Sequence, residues 1–299
     1  MNTSSPGLRA LSRQVILAAA PLLLAGTLLG GGALAAQAPQ RSPAPLLSAQ
    51  RPAPALLSAP ALLEKAQQAA GLPRSGLVAL HERVQTSEEG ELTPYIRDTW
   101  TDFRGQRLRI TDYAGQTLDT VHLLTPAAGL LYTPQHGTVP VPQQRAETLR
   151  WNLYSGVGGL GAAAAPGVRL RAPGLQTWLP DSPQPIKGTV LEATWPDGTA
   201  WHYLVDPNTG RLLADRSADK DLALLTFSYS EPRVAGIGSG AAKERAKDVA
   251  AQALEVRTLL LPGGEVVYRE QVLTRELNPA LPPQTFELPG SGAKSGGAQ

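Results

Sequence analysis

A cluster of glycines is the first feature whose spacing suggests chemistry. The members are Gly156, Gly158, Gly159 and Gly161, which match the pattern G-x-G-x-x-G. That pattern binds a dinucleotide pyrophosphate when a hydrophobic strand precedes it and a helix follows it. Here residues 150–155 continue a helical pattern, and Pro166-Gly167 follows soon after. We therefore predict no dinucleotide site but a flexible loop, of the kind that acts as a lid or hinge over a cavity.

Side chains for acid–base, nucleophilic or metal chemistry are few and scattered. The chain has no Cys, which excludes thiolate metal sites and Cys nucleophiles, and it has no H-E-x-x-H or G-x-S-x-G motif. The histidines are dispersed, at His81, His122, His136 and His202. The sequence thus predicts no catalytic residue, no metal, no cofactor and no enzymatic activity. Because catalytic groups can converge from distant positions, an envelope hydrolase stays open as a lesser alternative.

Large apolar side chains supply a second kind of candidate site. Several aromatic residues fall on different strand-like segments, so alternate side chains of a curved sheet would bring them to one face. Ordinary core packing and an apolar ligand lining both explain this pattern. As a ligand lining, the candidate residues are Trp100, Ile110, Tyr132, Trp195, Trp201 and Tyr203.

The elements that would position these residues are mostly strands. From about Gly76 onward, apolar and polar residues alternate with period two, and turns of two to four residues interrupt them. Such short connections require antiparallel pairing. Helical patterns cover residues 60–70 and 143–154, and residues 241–256 predict a helix or a long charged segment outside the strands. We predict an α+β fold, mainly antiparallel β, with about ten or eleven strands.

The N-terminus has the three parts of a secretory signal peptide. Arg9 and Arg13 precede an apolar run from Val15 to Leu29, and the small-residue site Ala33-Leu34-Ala35 follows. We therefore predict a signal peptide over residues 1–35 and a periplasmic or secreted protein. An uncleaved N-terminal membrane anchor is the alternative, since the run is long enough to span a bilayer.

Processing at this site would change the charge of the protein. The chain has 27 basic and 25 acidic residues, and residues 1–35 contain two of the basic ones and no acid. The mature protein would therefore be neutral, which argues against nucleic acid as a partner. Residues 36–60 are rich in Pro and Ala and predict a semi-rigid linker.

Two stretches resemble a known family. Residues 201–213 read as an aromatic strand, the turn Asp206-Pro207-Asn208-Thr209-Gly210 and a further strand, and residues 275–289 read as a closing strand followed by Asn278-Pro279 and Phe286. Both resemble segments of LolA/LolB-like periplasmic lipoprotein carriers. The resemblance implies an incomplete half-barrel wrapped over one to three helices, with an apolar cavity for acyl chains. The lipidated Cys of the membrane-anchored members is missing here.

The resemblance also sets the predicted domain plan. A LolA-like domain would cover residues 61–289, with an insertion at 232–256 and a disordered tail at 290–299. The leading hypothesis is an exported, soluble and monomeric carrier of lipid or lipoprotein acyl chains, with an envelope protein as a further partner. The main alternative is a sensor or interaction module of the same fold, tethered by an uncleaved N-terminal helix.

Overall fold

The computed structural model describes residues 57–88, 95–219, 226–230 and 255–289. In these ranges all strands belong to one antiparallel sheet of thirteen strands. The strands are β1 Ala79–Glu88, β2 Tyr95–Asp102, β3 Arg107–Ala114, β4 Thr117–Leu124, β5 Gly129–Thr133, β6 Gly137–Pro140, β7 Arg169–Trp178, β8 Ile186–Thr194, β9 Ala200–Val205, β10 Leu212–Ser217, β11 Thr226–Ser230, β12 Glu255–Leu260 and β13 Val266–Leu277. The predicted signal peptide, most of the linker, most of the insertion and the tail lie outside the described residues.

The strand order joins two meanders by one long-range pairing. Strands β1 to β6 follow one another on one side, β7 to β13 follow one another on the other, and β1 pairs with β13 in the middle. Leu80 lies opposite Leu277 in this pairing. Strands β6 and β7 end the sheet, so the described sheet is not closed into a barrel. The predicted fold class, mainly antiparallel α+β with an open half-barrel, is confirmed.

Two of the thirteen strands were not predicted. Strand β7 contains Pro173 and Gly174, residues that are typical of a loop. The structure accommodates them where the register of the β7–β8 pairing shifts, between Arg171 and Gly174. Gly174 has a φ of +108° there. An edge strand tolerates this because Pro need not donate to the ladder. Strand β12 begins within residues 241–256, for which the sequence predicts a helix or a long charged segment outside the strands.

Three α-helices occur in the described ranges: α1 Ala59–Ala69, α2 Gln143–Arg150 and α3 Gly156–Ala162. Helix α1 begins with Ser58 as its N-cap and Pro60 in its first turn, and it ends before Gly71, which has φ +67. Helix α2 continues into a 3-10 turn at Trp151–Leu153. None of these helices is long and apolar enough to cross a membrane.

The helices cover one face of the sheet, which we call the inner face. On it, α1 and α3 pack over a large cluster that contains Leu80, Leu191, Trp201 and Tyr203. Helix α2 covers a second cluster with Leu108, Ile110 and Leu124. A third cluster lies on the other, outer face and consists of Trp178, Val190, Leu204 and Ala214.

The glycine segment is a buried helix, which corrects the predicted loop. All seven residues of α3 are buried. A Cβ on Gly158 would lie 2.9 Å from Leu80 Cδ2, and one on Gly161 would lie 2.8 Å from Leu77 Cβ. The missing side chains therefore let the helix backbone approach the sheet. Glycine lowers helix propensity by about 1 kcal/mol per residue, and tertiary packing overrides that local preference here.

Candidate functional site

The structure brings four of the six predicted lining residues to the inner face. Trp195, Trp201 and Tyr203 belong to the large cluster, and Ile110 belongs to the cluster under α2. Trp201 and Tyr203 are fully buried, and the hydroxyl of Tyr203 donates to the carbonyl of Tyr154 just before α3. These residues pack against helices, so in the described structure they form a filled core.

The other two predicted residues lie on the outer face. Trp100 pairs across strands with His81, and the two rings stack at 3.9 Å between centroids. Tyr132 lies directly opposite Val121 of β4. Directly opposed residues on paired strands point to the same face of a sheet, and so do residues two positions apart on one strand. Followed across β3 and β4, this rule places Tyr132 on the same face as Trp100. The pattern of aromatic residues indicated which segments are strands, but the strand register decides to which face of the sheet each side chain points.

Between the two inner-face clusters, the sheet carries a network of charged side chains. Its core is a closed ring of four residues on β1, β12 and β13. Oε1 of Glu82 accepts from Arg257 Nη2 and from Arg275 Nε, each at 2.6 Å. Oε1 of Glu255 accepts from Arg257 Nε at 2.8 Å and from Arg275 Nη2 at 2.6 Å. Such charge-assisted bonds are among the stronger hydrogen bonds in proteins, and this ring joins three strands.

Glu82 is held as a carboxylate in this ring. Burial alone would favour the neutral acid, but the guanidinium groups of Arg257 and Arg275 outweigh burial and lower the pKa of Glu82 to about 2. Glu82 is 7% exposed, so removing its charge would leave two buried guanidinium groups without their main partner.

A neighbouring carboxylate, Glu270, is bound far less closely. Its nearest cations are Arg97 Nη1 at 3.6 Å and Arg257 Nη1 at 3.9 Å, both beyond hydrogen-bond length. Arg97 instead donates from Nε to Asp112 at 2.8 Å. Burial raises the pKa of Glu270, although Arg97 and Arg257 act in the opposite direction. Two buried glutamates therefore have pKa values shifted in opposite directions.

A small cavity lies between this network and the start of α3. Its volume is about 30 Å³, which is space for about two water molecules. Its walls combine charged, hydroxyl, amide and apolar groups. The lining residues are Leu80, Glu82, Val84, Arg97, Thr99, Thr101, Asn152, Ser155, Val157, Gly158, Arg257 and Glu270.

A third buried acid, Asp215 on β10, fixes the start of α3. Its Oδ2 accepts from the backbone N–H of Gly156 at 2.5 Å and from Trp201 Nε1 at 2.8 Å, and its Oδ1 accepts from the Tyr229 hydroxyl at 2.8 Å. Burial raises the pKa of Asp215 to about 6 despite these three bonds. At the other end of α3, Gln67 Nε2 of helix α1 donates to the carbonyl of Leu160 at 3.0 Å.

None of these charged residues is predicted from the sequence as part of a site. They alternate with other residues along strands, as solvated outer-face residues also do, so their types alone did not indicate burial. One local signal was present: Glu255 and Arg257 are two positions apart, which places opposite charges on the same face of a strand. In the described ranges, no group of three or more His, Asp or Glu side chains could hold a metal ion.

Comparison with known proteins gives matches among solved structures. No family model and no curated protein matches the chain. A LolA superfamily protein from Nitrosomonas europaea is 14% identical, with 77% of this chain and 98% of that chain covered and a TM-score of 0.43. A DUF1329 family protein from Desulfovibrio piger is 11% identical, with 77% and 97% covered and a TM-score of 0.43. The resemblance to LolA-like proteins that the sequence motifs indicated is thus found again, and at these TM-scores we draw no functional conclusion from it.

Proposed function

We propose that this protein is an exported carrier that binds a lipid or lipoprotein acyl chain on the inner face of its sheet. The observation that carries the proposal is helix α3, a seven-residue buried helix with four glycines over an apolar and aromatic surface. A helix with so few side chains gives up little buried surface when it moves. The glycine segment would then act as the lid that its sequence suggested, as a helix rather than as a loop.

Burying an acyl chain on the inner face gains more gross free energy than burying the side chains of α3 there. Helix α3 buries two large side chains, Val157 and Leu160, whose burial stabilises the closed state by about 3–6 kcal/mol together. A 16-carbon acyl chain gains on the order of 13 kcal/mol gross at about 0.8 kcal/mol per CH₂. Ordering and association reduce this gain.

The direct test is the lipid content of the purified protein. We expect mass spectrometry of an organic extract to find acyl lipid, and we expect delipidated protein to take up a fluorescent fatty acid. Substitution Trp201→Phe on the inner face is expected to weaken uptake, whereas Trp100→Phe on the outer face is the matched control. Protein that is always empty and takes up no fatty acid would contradict the proposal.

Export and processing belong to the same proposal. A signal peptide cleaved after residue 35, a linker over residues 36–60 and a carrier domain over 61–289 would release a soluble protein. N-terminal sequencing of protein from the cell envelope tests this plan. A mature N-terminus near Ala36 supports it, and a retained Met1 would indicate the anchored alternative.

The filled inner face favours a second candidate, a sensor or interaction module. In the described ranges the two inner-face apolar clusters are covered by helices, and the cavity between them has space for only about two water molecules. A module of this kind binds an envelope protein and needs no acyl cavity. Cross-linking in intact cells separates the two: a stable protein partner with no bound lipid would favour the module.

An envelope hydrolase is the third candidate. Glu82 and Glu270 both line the cavity, which is the paired-carboxylate arrangement that such an enzyme would use. Space for about two water molecules is too small for an ester or sugar substrate. The carrier is therefore better supported than the hydrolase.

A further inference from the structure

An arginine is held over an aromatic ring on the outer face of the sheet. The guanidinium carbon of Arg216 on β10 lies 4.1 Å from the centre of the Trp178 ring, which is the geometry of a cation–π contact. Trp178 is itself buried, at 2% exposed, and belongs to the outer-face cluster. The buried ring therefore fixes the position of the guanidinium group on the surface of the sheet.

Arg216 has no countercharge among the residues that the structure describes. Its Nε is buried without a hydrogen-bond partner, whereas Nη1 and Nη2 are not buried. Burial lowers the pKa of Arg216, and no described carboxylate opposes this shift. A half-buried charge without a partner is costly, so the site favours an anion. The fork of Nη1 and Nη2 matches the two oxygens of a carboxylate.

Arg216 ends a row of four residues that crosses β10, β9, β8 and β7. It lies opposite His202, His202 lies opposite Glu192, and Glu192 lies opposite Arg171. The row belongs to the outer face, because Glu192 is two positions from Val190 of the outer-face cluster. Glu192 is engaged by its neighbours, with 3.0 Å from Oε2 to His202 Nε2 and 3.8 Å from Oε1 to Arg171 Nη1. It therefore leaves Arg216 without an anion.

The outer patch, which we define as this row together with Arg169, has an excess of positive charge. Arg169 is exposed, lies two positions from Arg171 on β7 and so shares its face. Three arginines against one glutamate leave two positive charges when His202 is neutral. Anionic membranes are bound by clusters of about four to eight basic residues, which is more than the patch offers. Arginine is enriched at protein interfaces, so the patch better fits a protein partner.

We propose that the outer patch docks an acidic segment of a partner protein, with one carboxylate on Arg216 and a second on Arg171. The two arginines are three strands apart in one row, which is about 14 Å at about 4.8 Å per strand. An extended chain advances about 3.3 Å per residue, so acidic residues four positions apart, about 13 Å, match this distance. The inner face takes no part in this interaction.

Synthetic peptides titrated into the purified chain test the proposal by NMR. The probe is an extended Gly/Ser peptide with two glutamates four positions apart. Its controls are the same peptide with two glutamines and one with two adjacent glutamates. We expect the probe to bind at least about tenfold more tightly than the glutamine peptide, and more tightly than the adjacent pair, which cannot reach both arginines. The reporter is the indole N–H signal of Trp178, identified by its loss in Trp178→Phe.

Substitutions on the chain separate the patch from a general effect of charge. Arg216→Gln is expected to weaken binding of the probe by about tenfold or more, and Arg216→Lys by less, because it keeps the charge and loses the fork. Arg104→Gln is the matched control, since Arg104 is exposed in the turn between β2 and β3, and it should bind like the unmodified protein.

Two further outcomes would overturn the proposal. One is equal binding of the glutamate and glutamine peptides, or unchanged binding of the probe by Arg216→Gln. The other is tighter binding of inorganic phosphate or of phosphatidylglycerol vesicles than of the probe, lost in Arg216→Gln, which would assign the patch to a phosphate group. Fatty-acid uptake is measured separately on the same protein, so failure of the carrier function leaves this test unaffected.

Discussion

The carboxylate of Asp215 on β10 accepts a hydrogen bond from the backbone N–H of Gly156, with 2.5 Å between Oδ2 and the nitrogen. This bond joins the first residue of α3 to the sheet beneath it. Asp215 is fully buried, and the same oxygen accepts from Trp201. The position of the glycine helix, and with it the closed inner face, therefore depends in part on this buried acid, while Gln67 binds the other end of α3.

Replacing Asp215 tests that dependence. Asp215→Ala leaves the N–H of Gly156 and the indole N–H of Trp201 buried without an acceptor, and we expect a loss of about 2–5 kcal/mol in the free energy of unfolding. Asp215→Asn keeps one oxygen for both donors and is expected to cost less. Urea denaturation of both variants measures the difference. Equal stability of Asp215→Ala and the unmodified protein would contradict the role given to this residue.

Asp215 also predicts a dependence of stability on pH. Its pKa is raised to about 6 in the folded protein from 3.8, so the folded state holds this proton more tightly than the unfolded state. The contribution is fully present below about pH 3.8 and is lost as the pH rises to about 6. Denaturation at several pH values should show this decline in the unmodified protein. In Asp215→Asn, which carries no titrating group there, the decline should be smaller.

Glu82 predicts the opposite trend at lower pH. Its pKa is lowered to about 2 from 4.5, so its contribution is present above about pH 4.5 and is lost as the pH falls towards 2. We expect Glu82→Gln to be less stable at pH 7, because Arg257 and Arg275 lose a buried countercharge, by about 3–5 kcal/mol. The variant should also lose less stability on acidification. If the variant and the unmodified protein lose the same stability between about pH 4.5 and 2, the ring does not hold Glu82 ionised.

The close approach of α3 predicts a strict need for glycine at one position. A Cβ on Gly159 would lie 1.8 Å from the carbonyl oxygen of Tyr154 and 2.7 Å from the Tyr203 hydroxyl. We expect Gly159→Ala to lower the free energy of unfolding by about 3 kcal/mol or more. Gly263 is the matched control, since its Cβ would meet nothing within 4 Å, and Gly263→Ala should change stability by about 0.5 kcal/mol or less.

A reversible cross-link tests whether α3 must move for ligand uptake. A Cβ on Gly161 would lie 2.8 Å from Leu77 Cβ, so Leu77→Cys with Gly161→Cys requires a shift of about 1 Å to reach disulfide geometry. The chain has no other Cys to compete. We expect the oxidised variant to take up fatty acid more slowly than the same variant after reduction. Equal uptake in both states would show that the helix is not the lid.

Strand prediction succeeded where local pattern and local structure agree. Residues 107–113 alternate apolar and polar side chains between short turns, and the structure has β3 there. It failed where a neighbouring strand supplies what the local sequence lacks. Pro173 and Gly174 interrupt β7 locally, yet pairing with β8 on both sides of the irregularity keeps the strand together.

The glycine segment shows the same limit for helices. Four glycines in seven residues predict a loop from propensity, and the first turn of α3 is unusual even in the structure, with φ +64 at Gly156. The helix forms because Asp215 and Gln67 bind its two ends and because Leu80 and Leu77 occupy the space that side chains would need. None of these partners is near it in sequence.

By itself, the sequence determined that the chain forms antiparallel strands with short turns, since period-two alternation and turn residues are local properties. It also determined which aromatic and charged residues were available. Only the tertiary structure decided which of them meet. The pairing of β1 with β13 joins residues about 200 positions apart, such as Leu80 and Leu277, and a shift of one residue in such a register would exchange the two faces. That register sets Glu82 directly opposite Arg275, and the registers of the other strands place Trp201 inside and Trp100 outside.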